Sequence, residues 1–391
     1  MKNYTVQKGD TLEGIAIKFL YRSAFAYKIK QANNLPDNNV YPGQTLKIPE
    51  AEKIEAREYQ GFKIVIDGKE LNQTPPATIQ NGINTIAPGL EFELPGEQIF
   101  DFIKPYKFNK VDAYFDNSIM FSGYISKIVN KSGAENKKII EAHGKSHLLS
   151  RVNYPVSSYP RTFYNLTLKQ IFTKFTDLFN IPFTIEQGAE KLAGEKFIKV
   201  EIDPEQKVSD FLIDLAGQKG LILYGDSTGG IVLKNEYVKS DNILNIENYP
   251  ATAEFNTETI FSDYTCLKNY DSEGNTQVAR DKVQIDEFIP KVFQISKMQK
   301  ESLKSMIKKE IKTDLINSFK LELDLPYITD INGNLIEINK QIYFKNEKNQ
   351  INGTEFIIKS AVYRFTAAGR EISIDLFPVS FLKGEFEKFW E

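Results

Sequence analysis

The sequence is poor in the residues from which most catalytic and metal centres are built. Its 391 residues contain one cysteine, Cys266, and only two histidines. A single cysteine cannot form a disulfide within the chain, which is typical of proteins that fold in a reducing compartment. We therefore expect Cys266 to be a small buried apolar residue, in a chain that folds in the bacterial cytoplasm.

Long apolar runs are lacking as well. Nowhere do about twenty apolar residues follow one another, so the sequence predicts no membrane-spanning helix. The first twelve residues, MKNYTVQKGDTL, have no apolar run behind their lysine, so we expect no signal peptide. The formal net charge of −3 disfavours nucleic acid as a partner, because binding to phosphates depends on an excess of Lys and Arg.

The two histidines do not form a recognisable metal site. His143 and His147 are four residues apart, but the Glu of a His-Glu-x-x-His motif and a third ligand are missing. The segment Gly144-Lys145-Ser146 resembles the end of a P-loop, yet Ile139 stands where that loop needs its first glycine. We interpret this segment as a turn after a strand, and we predict no catalytic residue, metal or cofactor.

Two further patterns also favour structure over catalysis. The glycine-rich run 225–230 lies between two apolar runs, 221–224 and 231–233, which predicts a hairpin and not a strand-to-helix phosphate loop. Glu195 and Glu201 would be a conceivable carboxylate pair for glycan hydrolysis. Nothing distinguishes them among 52 acidic residues, so a solvated surface is the favoured interpretation.

The first fifty residues predict a small β-α-α-β unit. A strand over 4–6 is followed by a helix that Thr11 can cap, with apolar residues at helical spacing. A second helix over about 27–32 ends at Asn33-Asn34, before Pro36. The turn 41–44 then leads into a closing strand over 46–48.

This segment resembles the LysM family along the string YTVQKGDTLEGIA…ANNL…VYPGQTLKIP. The family binds N-acetylglucosamine-containing glycans in a shallow groove between its first strand–helix loop and its last helix–strand loop. The resemblance thus implies a carbohydrate site, although the same residues would also serve as turn and cap residues in an assembly adaptor. The candidate binding residues are Gly9, Asp10, Thr11, Tyr41, Pro42 and Gly43.

The rest of the chain predicts an α+β multidomain protein with two β-barrel-like domains and an inserted α/β domain. Residues 51–58 form a charged linker, and short strands fill 59–150, including a hairpin at Asp67-Gly68. Residues 151–250 mix strands and helices, one of them opened by a Thr167/Gln170 capping box. Residues 251–391 return to strands, one of them over 335–338, around a long helix near 297–319. The stripe of that helix is Leu303, Ile307, Ile311, Leu315 and Phe319.

The body resembles the baseplate hub proteins of contractile tails, the Mu-type or late-control-D-like class. The resemblance spans roughly residues 60–380 and consists of short apolar and glycine blocks. These blocks are 102–106, 112–115, 121–125, 142–146, 148–149, 154–155, 165–168, Ile171, 215–216 and 220–223.

Hub proteins of this class are trimers with two related barrels in each chain. The resemblance therefore implies a homotrimer whose six barrels adapt a sixfold tail tube above to a threefold spike below, in a phage virion or injection-system baseplate. LysM would bind peptidoglycan or serve assembly. The alternative is a wall-associated LysM carbohydrate-binding protein or a peptidoglycan hydrolase.

Overall fold

The computed structural model describes residues 2–7, 10–12, 15, 26–33, 35, 39–48, 61–71, 75–95, 103–132, 136–155, 158, 160–235, 243–247, 249–269, 276–285, 287–295, 303–330, 333–366 and 369–385. The chain divides into two compact units. One is Met1–Gly61 with Ile331–Asn334, and the other is Phe62–Asp330 with Leu335–Glu391.

The N-terminal unit contains a two-stranded antiparallel sheet. Strand β1 (Lys2–Thr5) pairs with β2 (Thr45–Ile48), and helix α1 (Ala26–Ala32) lies between them in sequence. The predicted helix after Thr11 is described only at Leu12 and Ile15, both of which are helical and buried. The unit has its own core, formed by Val6, Leu12, Ile15, Ile29, Leu46 and Ile48.

The body begins with a barrel-like set of antiparallel strands. These are β3 (Lys63–Ile66), β4 (Lys69–Glu70), β5 (Ala77–Gly82), β6 (Gly89–Pro95), β7 (Lys110–Phe115), β8 (Ser118–Lys131) and β9 (Lys137–His143), followed by helix α2 (His147–Arg151). They lie in the order β4-β3-β7-β8-β9-β6-β5. The predicted hairpin at Asp67-Gly68 is confirmed, with φ of 48° and 78° at the two turn residues.

The next segment forms a separate α/β layer. Its elements are β10 (Thr162–Thr167), α3 (Leu168–Phe179), β11 (Phe183–Ile185), α4 (Glu190–Ala193), β12 (Lys196–Glu201), α5 (Val208–Gln218), β13 (Leu221–Gly225) and β14 (Ile231–Asn235). The capping box is confirmed, because Thr167 and Gln170 each bond the other's backbone N–H. Helices α3 and α5 bury apolar faces in a core of their own that includes Phe172, Phe175, Phe211 and Leu212.

Strands dominate again in the last third of the chain. The elements are β15 (Leu244–Glu247), β16 (Thr252–Phe255), β17 (Asp263–Asn269), β18 (Thr276–Lys282), β19 (Pro290–Ile295), α6 (Leu303–Ser318), β20 (Phe319–Leu325), β21 (Gln341–Asn346), β22 (Ile351–Thr366), β23 (Gly369–Pro378) and α7 (Val379–Leu382). Six of these strands lie in the order β15-β21-β22-β23-β20-β16. Strands β18, β17 and β19 form a separate small sheet on which α6 packs.

Two details of the sequence-based reading are corrected. The long helix ends at Ser318, whose hydroxyl donates to the carbonyl of Leu315, and Phe319 instead starts β20 by pairing with Phe255. Its predicted beginning at 297–302 lies outside the described residues. The predicted strand over 335–338 is a loop with one bridge, between Thr329 and Leu335, because the chain turns at Asn339 with a φ of 60°.

The α+β, strand-rich class with two barrel-like sets of strands is therefore confirmed, while the domain boundaries remain a prediction. Cys266 is fully buried in β17, and burial raises the pKa of its thiol. Among the described residues, no helix combines the length and apolar character that crossing a membrane requires.

Candidate functional site

The two loops predicted to bind glycan lie side by side in the N-terminal unit. Val6, the residue after β1, donates its N–H to the carbonyl of Gln44 at 2.9 Å. The N–H of Gly43 donates to the carbonyl of Val6, also at 2.9 Å. These two bonds hold the start of the loop after β1 against the loop before β2.

Asp10 is held within its own loop. Its Oδ2 accepts a hydrogen bond from the Tyr4 hydroxyl at 2.7 Å and from the Gln7 N–H at 2.8 Å. The carbonyl of Thr11 accepts from the N–H of Ile15 at 2.9 Å, which places Thr11 at the start of the first helical turn. These contacts give Asp10 and Thr11 a role in shaping the loop. Gly9 lies outside the described residues.

The other loop presents an aromatic side chain. Tyr41 is 67% exposed, and Pro42 and Gly43 beside it are also exposed. The side-chain oxygen of Gln44 accepts the N–H of Tyr41 at 3.0 Å, and Gly43 adopts a φ of +88° that favours glycine. The backbone of this loop is thus fixed while the Tyr41 side chain remains exposed.

Sequence reasoning missed one organising residue in this unit. Asn33 follows α1, and its side chain donates to the carbonyl of Lys47 at 2.7 Å and accepts the N–H of Lys47 at 2.7 Å. This paired bond ties the end of α1 to β2 like an additional strand. The Asn33-Asn34 pair was visible as a helix stop, but its cross-link to β2 depends on contacts that only the folded chain shows.

His143 and His147 form a stacked pair. His143 is the last residue of β9 and His147 the first of α2, and their rings are parallel with centroids 4.2 Å apart. The Nδ1 atoms engage different serines, Ser126 at 2.8 Å and Ser150 at 3.1 Å, so they do not converge on one point. Burial lowers the pKa of both rings, and with the neighbouring His143 and Arg151 it lowers the pKa of His147 to about 4.

This pair predicts an acid-dependent loss of stability. The pKa of His147 is lower in the folded chain than its ordinary value of 6.5. The contribution of this histidine to the free energy of unfolding is therefore fully present above about pH 6.5 and is lost as the pH drops towards 4. We expect the variant His147→Gln to show a shallower decrease in the free energy of unfolding over this range and no change of slope above pH 7. Urea unfolding at several pH values measures this, and an unchanged acid slope would contradict it.

The other patterns considered for catalysis have structural roles. Lys145 donates to the carbonyl of Asn180 at 2.6 Å, so the segment 144–146 is the predicted turn. Glu195 pairs with Lys219 at 3.0 Å and Glu201 with Arg161 at 3.3 Å, as expected for surface carboxylates. In the described part of the chain, no three His, Cys, Asp or Glu side chains gather as a metal site.

The predicted hairpin at 225–230 is confirmed, and it docks the α/β layer onto the first barrel. The N–H of Gly225 donates to the carbonyl of Thr85 at 2.9 Å, and Asn81 donates to the carbonyl of Gly225 at 2.9 Å. A Cβ on Gly225 would lie only 2.7 Å from the backbone of Ala87, so the close approach needs a glycine there.

The two barrel-like sets of strands share one strand order. In chain order the six strands are β3, β5, β6, β7, β8, β9 in the first set and β15, β16, β20, β21, β22, β23 in the second. In both sheets the first strand is followed by the fourth, fifth, sixth, third and second. All the neighbouring pairs are antiparallel in both sets except the first with the fourth, which is antiparallel for β3–β7 and parallel for β15–β21. A short helix, α2 or α7, follows each sixth strand.

The correspondence extends to single residues of the two long fifth strands. Tyr124 of β8 is the last residue to pair with β7, and a bulge follows between Ile125 and Lys127. Ile357 of β22 is the last to pair with β21, and a bulge follows between Ile358 and Ser360. The bulge therefore occurs at the same distance along both strands, which equates Lys127 with Ser360 and sets the register between the two barrels.

This register uncovers a repeat in the sequence. The third strands align as Leu-Glu-Phe-Glu-Leu-Pro, 90–95, with Leu-Glu-Leu-Asp-Leu-Pro, 321–326. The second strands begin with Pro-Ala-Thr in both cases, at 76–78 and 250–252. The three alternate apolar residues in each third strand are at most 2% exposed, so the repeat coincides with the core-facing side.

The two barrels are joined into one 13-stranded sheet through the pairing of β5 with β22. Strand β5 of the first barrel pairs antiparallel with the C-terminal half of β22 of the second, from Ser360 opposite Gly82 to Phe365 opposite Ala77. Their apolar side chains form one continuous core. The chain thus contains two barrel-like sets of strands with the same strand order, in direct contact.

The comparisons with known proteins agree with both parts of this architecture. Residues 4–49 match the LysM domain family, and the chain carries a LysM domain there. The 43 kDa tail protein of prophage MuSo2 from Shewanella oneidensis matches with a TM-score of 0.68 at 20% identity, over 81% of this chain and 98% of that one.

Two other solved structures have the same fold. The tail protein from Neisseria meningitidis MC58 matches with a TM-score of 0.68 at 14% identity, over 83% of this chain and 99% of that one. The prophage tail protein gp18 from Listeria monocytogenes EGD-e matches with a TM-score of 0.53 at 15% identity, over 83% and 97%. No curated protein sequence matches the chain. The body therefore has a fold found in phage tail proteins.

Proposed function

We propose that the chain is the structural hub of a contractile phage tail or a related injection system. Three copies form a ring of six similar barrels that adapts a sixfold tail tube to a threefold spike. The observation that carries this proposal is the repeated strand order of the two barrels, with the bulge at the same place in both fifth strands.

The physical requirement of such an adaptor is a surface presented six times on a threefold assembly. A ring closes when one contact repeats with a constant rotation, so a chain with two equivalent barrels supplies two of six steps. The two barrels also differ, for example by residues 256–318, which are inserted before β20. Such features occur once in each chain and therefore three times in the ring, which matches the threefold symmetry of the spike.

This role assigns the remaining parts of the chain. The tube protein contacts the repeated barrel surface above, and the spike protein contacts the opposite side. The function is assembly without catalysis and without a cofactor, in a virion or injection-system baseplate. We place LysM at 1–50, a linker at 51–58, the two hub barrels at 59–150 and 251–391, and the α/β insertion at 151–250.

The oligomeric state of the purified chain tests the hub proposal. Size-exclusion chromatography with light scattering is expected to give three times the mass of one chain. A stable monomer at high concentration would contradict the proposal.

For the LysM domain we propose peptidoglycan binding through the groove beside Tyr41. Since this ring is exposed while its backbone is fixed, Tyr41→Ala should remove a sugar contact without unfolding the domain. We expect binding to insoluble peptidoglycan to weaken about tenfold, the effect of about 1.4 kcal/mol. A sedimentation pull-down measures it.

The matched control for this pull-down is Tyr164→Ala, because Tyr164 is similarly exposed at 62% but lies outside the domain. Its retention should equal that of the unmodified chain. A chain without residues 1–50 that is retained equally well would refute the glycan site and leave LysM an assembly role. Clearing of turbid walls by the purified chain would instead favour the hydrolase alternative.

A further inference from the structure

The contact between the two barrels within one chain depends on the length of β22. Residues 351–357 of this strand pair with β21, and residues 360–365 extend beyond β21 and pair with β5 on the same side. The other side of β22 is occupied by β23. The fifth strand of the second barrel therefore receives the second strand of the first barrel.

The counterparts of β22 and β5 by strand order are β8 in the first barrel and β16 in the second. Residues 118–124 of β8 pair with β7, and residues 127–131 extend beyond it. Within the described residues, β9 is the one strand that pairs with 127–131. Strand β16, the second strand of the second barrel, ends the described sheet and pairs there with β20.

We propose that residues 127–131 of β8 in one subunit pair antiparallel with β16 of the next subunit, which repeats between chains the contact that β22 makes with β5 inside one chain. This inference rests on the proposed trimeric hub and adds its interface. The equivalence of Lys127 with Ser360 and of Asn256 with Gly82 predicts the register. Lys127, Ile128, Val129, Asn130 and Lys131 lie opposite Asn256, Phe255, Glu254, Ala253 and Thr252 of the partner subunit, respectively.

The side chains that this register brings together are complementary. Ile128 is half-buried and lies opposite the partner's Phe255, a residue that is 47% exposed in the single chain. The exposed lysines at 127 and 131 lie on either side of the position opposite the partner's Glu254. An apolar cross-strand pair beside an acidic residue flanked by lysines is a favourable arrangement on a sheet.

The backbone of β16 is oriented for this pairing. The N–H of Asn256 donates to the carbonyl of Ser318 at 2.7 Å, so this amide points towards β20. Amide direction alternates along a strand, which turns the amides of Glu254 towards β20 and those of Ala253 and Phe255 away from it. A sheet edge of this kind serves as a template for another strand.

The contact is head-to-tail, since it joins two different strands, and such contacts form a ring when the rotation closes. Within each chain, this contact between neighbouring barrels already occurs once, as the pairing of β22 with β5. If the same contact joins barrel one to barrel two of the next subunit, three subunits close a ring of six barrels with a continuous sheet.

A disulfide between chains tests the register in the full-length protein. In the β22–β5 contact within one chain, Gln80 lies opposite Val362. The corresponding pair between chains is Val129 opposite Glu254 of the partner subunit. We expect the double variant Val129→Cys/Glu254→Cys to form covalent trimers on mild oxidation, seen on a non-reducing denaturing gel. The matched control, Val129→Cys/Ala253→Cys, places the second thiol on the opposite face of β16 and should give at least tenfold less cross-linked product.

The mass of each variant before oxidation separates this inference from the proposed function. Trimers by light scattering without cross-linking of the 129/254 pair would overturn the strand pairing and leave the hub. Equal cross-linking of both pairs would overturn the register. Absence of trimers would overturn the hub proposal itself, and the interface with it.

Discussion

Replacing Ala253 by proline is expected to convert the proposed trimer into folded monomers. The amide of Ala253 points away from β20, so among the described residues proline removes no hydrogen bond of the β16–β20 ladder, and proline is tolerated on edge strands. In the ring the same amide donates to β8 of the neighbouring subunit. The substitution would leave that acceptor without its donor and bring the proline ring against the neighbouring strand.

The expected size of this effect is large because the contact occurs three times. Losing one buried hydrogen bond and its partner costs about 2 kcal/mol at each contact, or about 6 kcal/mol for the ring. This corresponds to roughly four orders of magnitude in the equilibrium between trimer and monomers. Sedimentation equilibrium over a concentration series measures the change.

The matched control is Ala253→Ser, which retains the amide and nearly the same size, and should remain trimeric. Thermal unfolding followed by circular dichroism should show that the proline variant retains its β structure. A trimer of undiminished stability in a folded Ala253→Pro protein would contradict the pairing of β16 with β8.

Replacing Asp314 by alanine is expected to destabilise the single chain strongly. Asp314 lies on α6, is 8% exposed, and accepts hydrogen bonds from Lys291 at 2.7 Å and from the Tyr264 hydroxyl at 3.0 Å. These bonds fasten α6 to β17 and β19. Burial alone lowers the pKa of Lys291, but its bonds to Asp314 and Glu310 outweigh burial and raise it, so the lysine is charged.

The variant leaves a partly buried ammonium with Glu310 as its remaining carboxylate and deprives the buried Tyr264 hydroxyl of its acceptor. Removing one member of a buried ion pair costs about 3–5 kcal/mol, and because Glu310 remains we expect the lower end of this range, about 3 kcal/mol. Urea unfolding at a fixed chain concentration measures this, since association contributes to apparent stability.

The control for the Asp314 variant is Glu347→Ala. The Glu347 side chain is 79% exposed and lies 4.0 Å from Lys345, so its removal should change the free energy of unfolding by less than about 0.5 kcal/mol. A loss below about 1 kcal/mol for Asp314→Ala would show that the small sheet is held to α6 by other contacts.

Local patterns predicted local structure well. The Asp67-Gly68 turn, the Thr167/Gln170 capping box and the 225–230 hairpin all depend on interactions within a few residues, which a sequence displays directly. The sequence placed the end of α6 too late, because Phe319 continues the apolar spacing of the helix. In the structure the backbone of Phe319 instead pairs with Phe255 in β16. A long-range pairing of this kind leaves no local signature.

The repeated barrel was expected from resemblance, but its residue register could not be read from the sequence. The matching segments 90–95 and 321–326 are short, and residues 256–318 separate the second and third strands in one barrel where 83–88 suffice in the other. Core-facing positions conserve only apolar character, so the repeat emerges once strand order aligns the two halves. In the LysM domain, the glycan site between the two loops stays a prediction, and the cross-link from Asn33 to Lys47 became visible only in the folded chain.

The most direct test of the central claim is electron microscopy of the purified chain viewed along the axis of the assembly. Two equivalent barrels in each of three chains predict a closed ring of six similar lobes around a central opening, with weaker threefold features from the inserted segments. Class averages with three undivided lobes, or an open two-lobed particle, would contradict it.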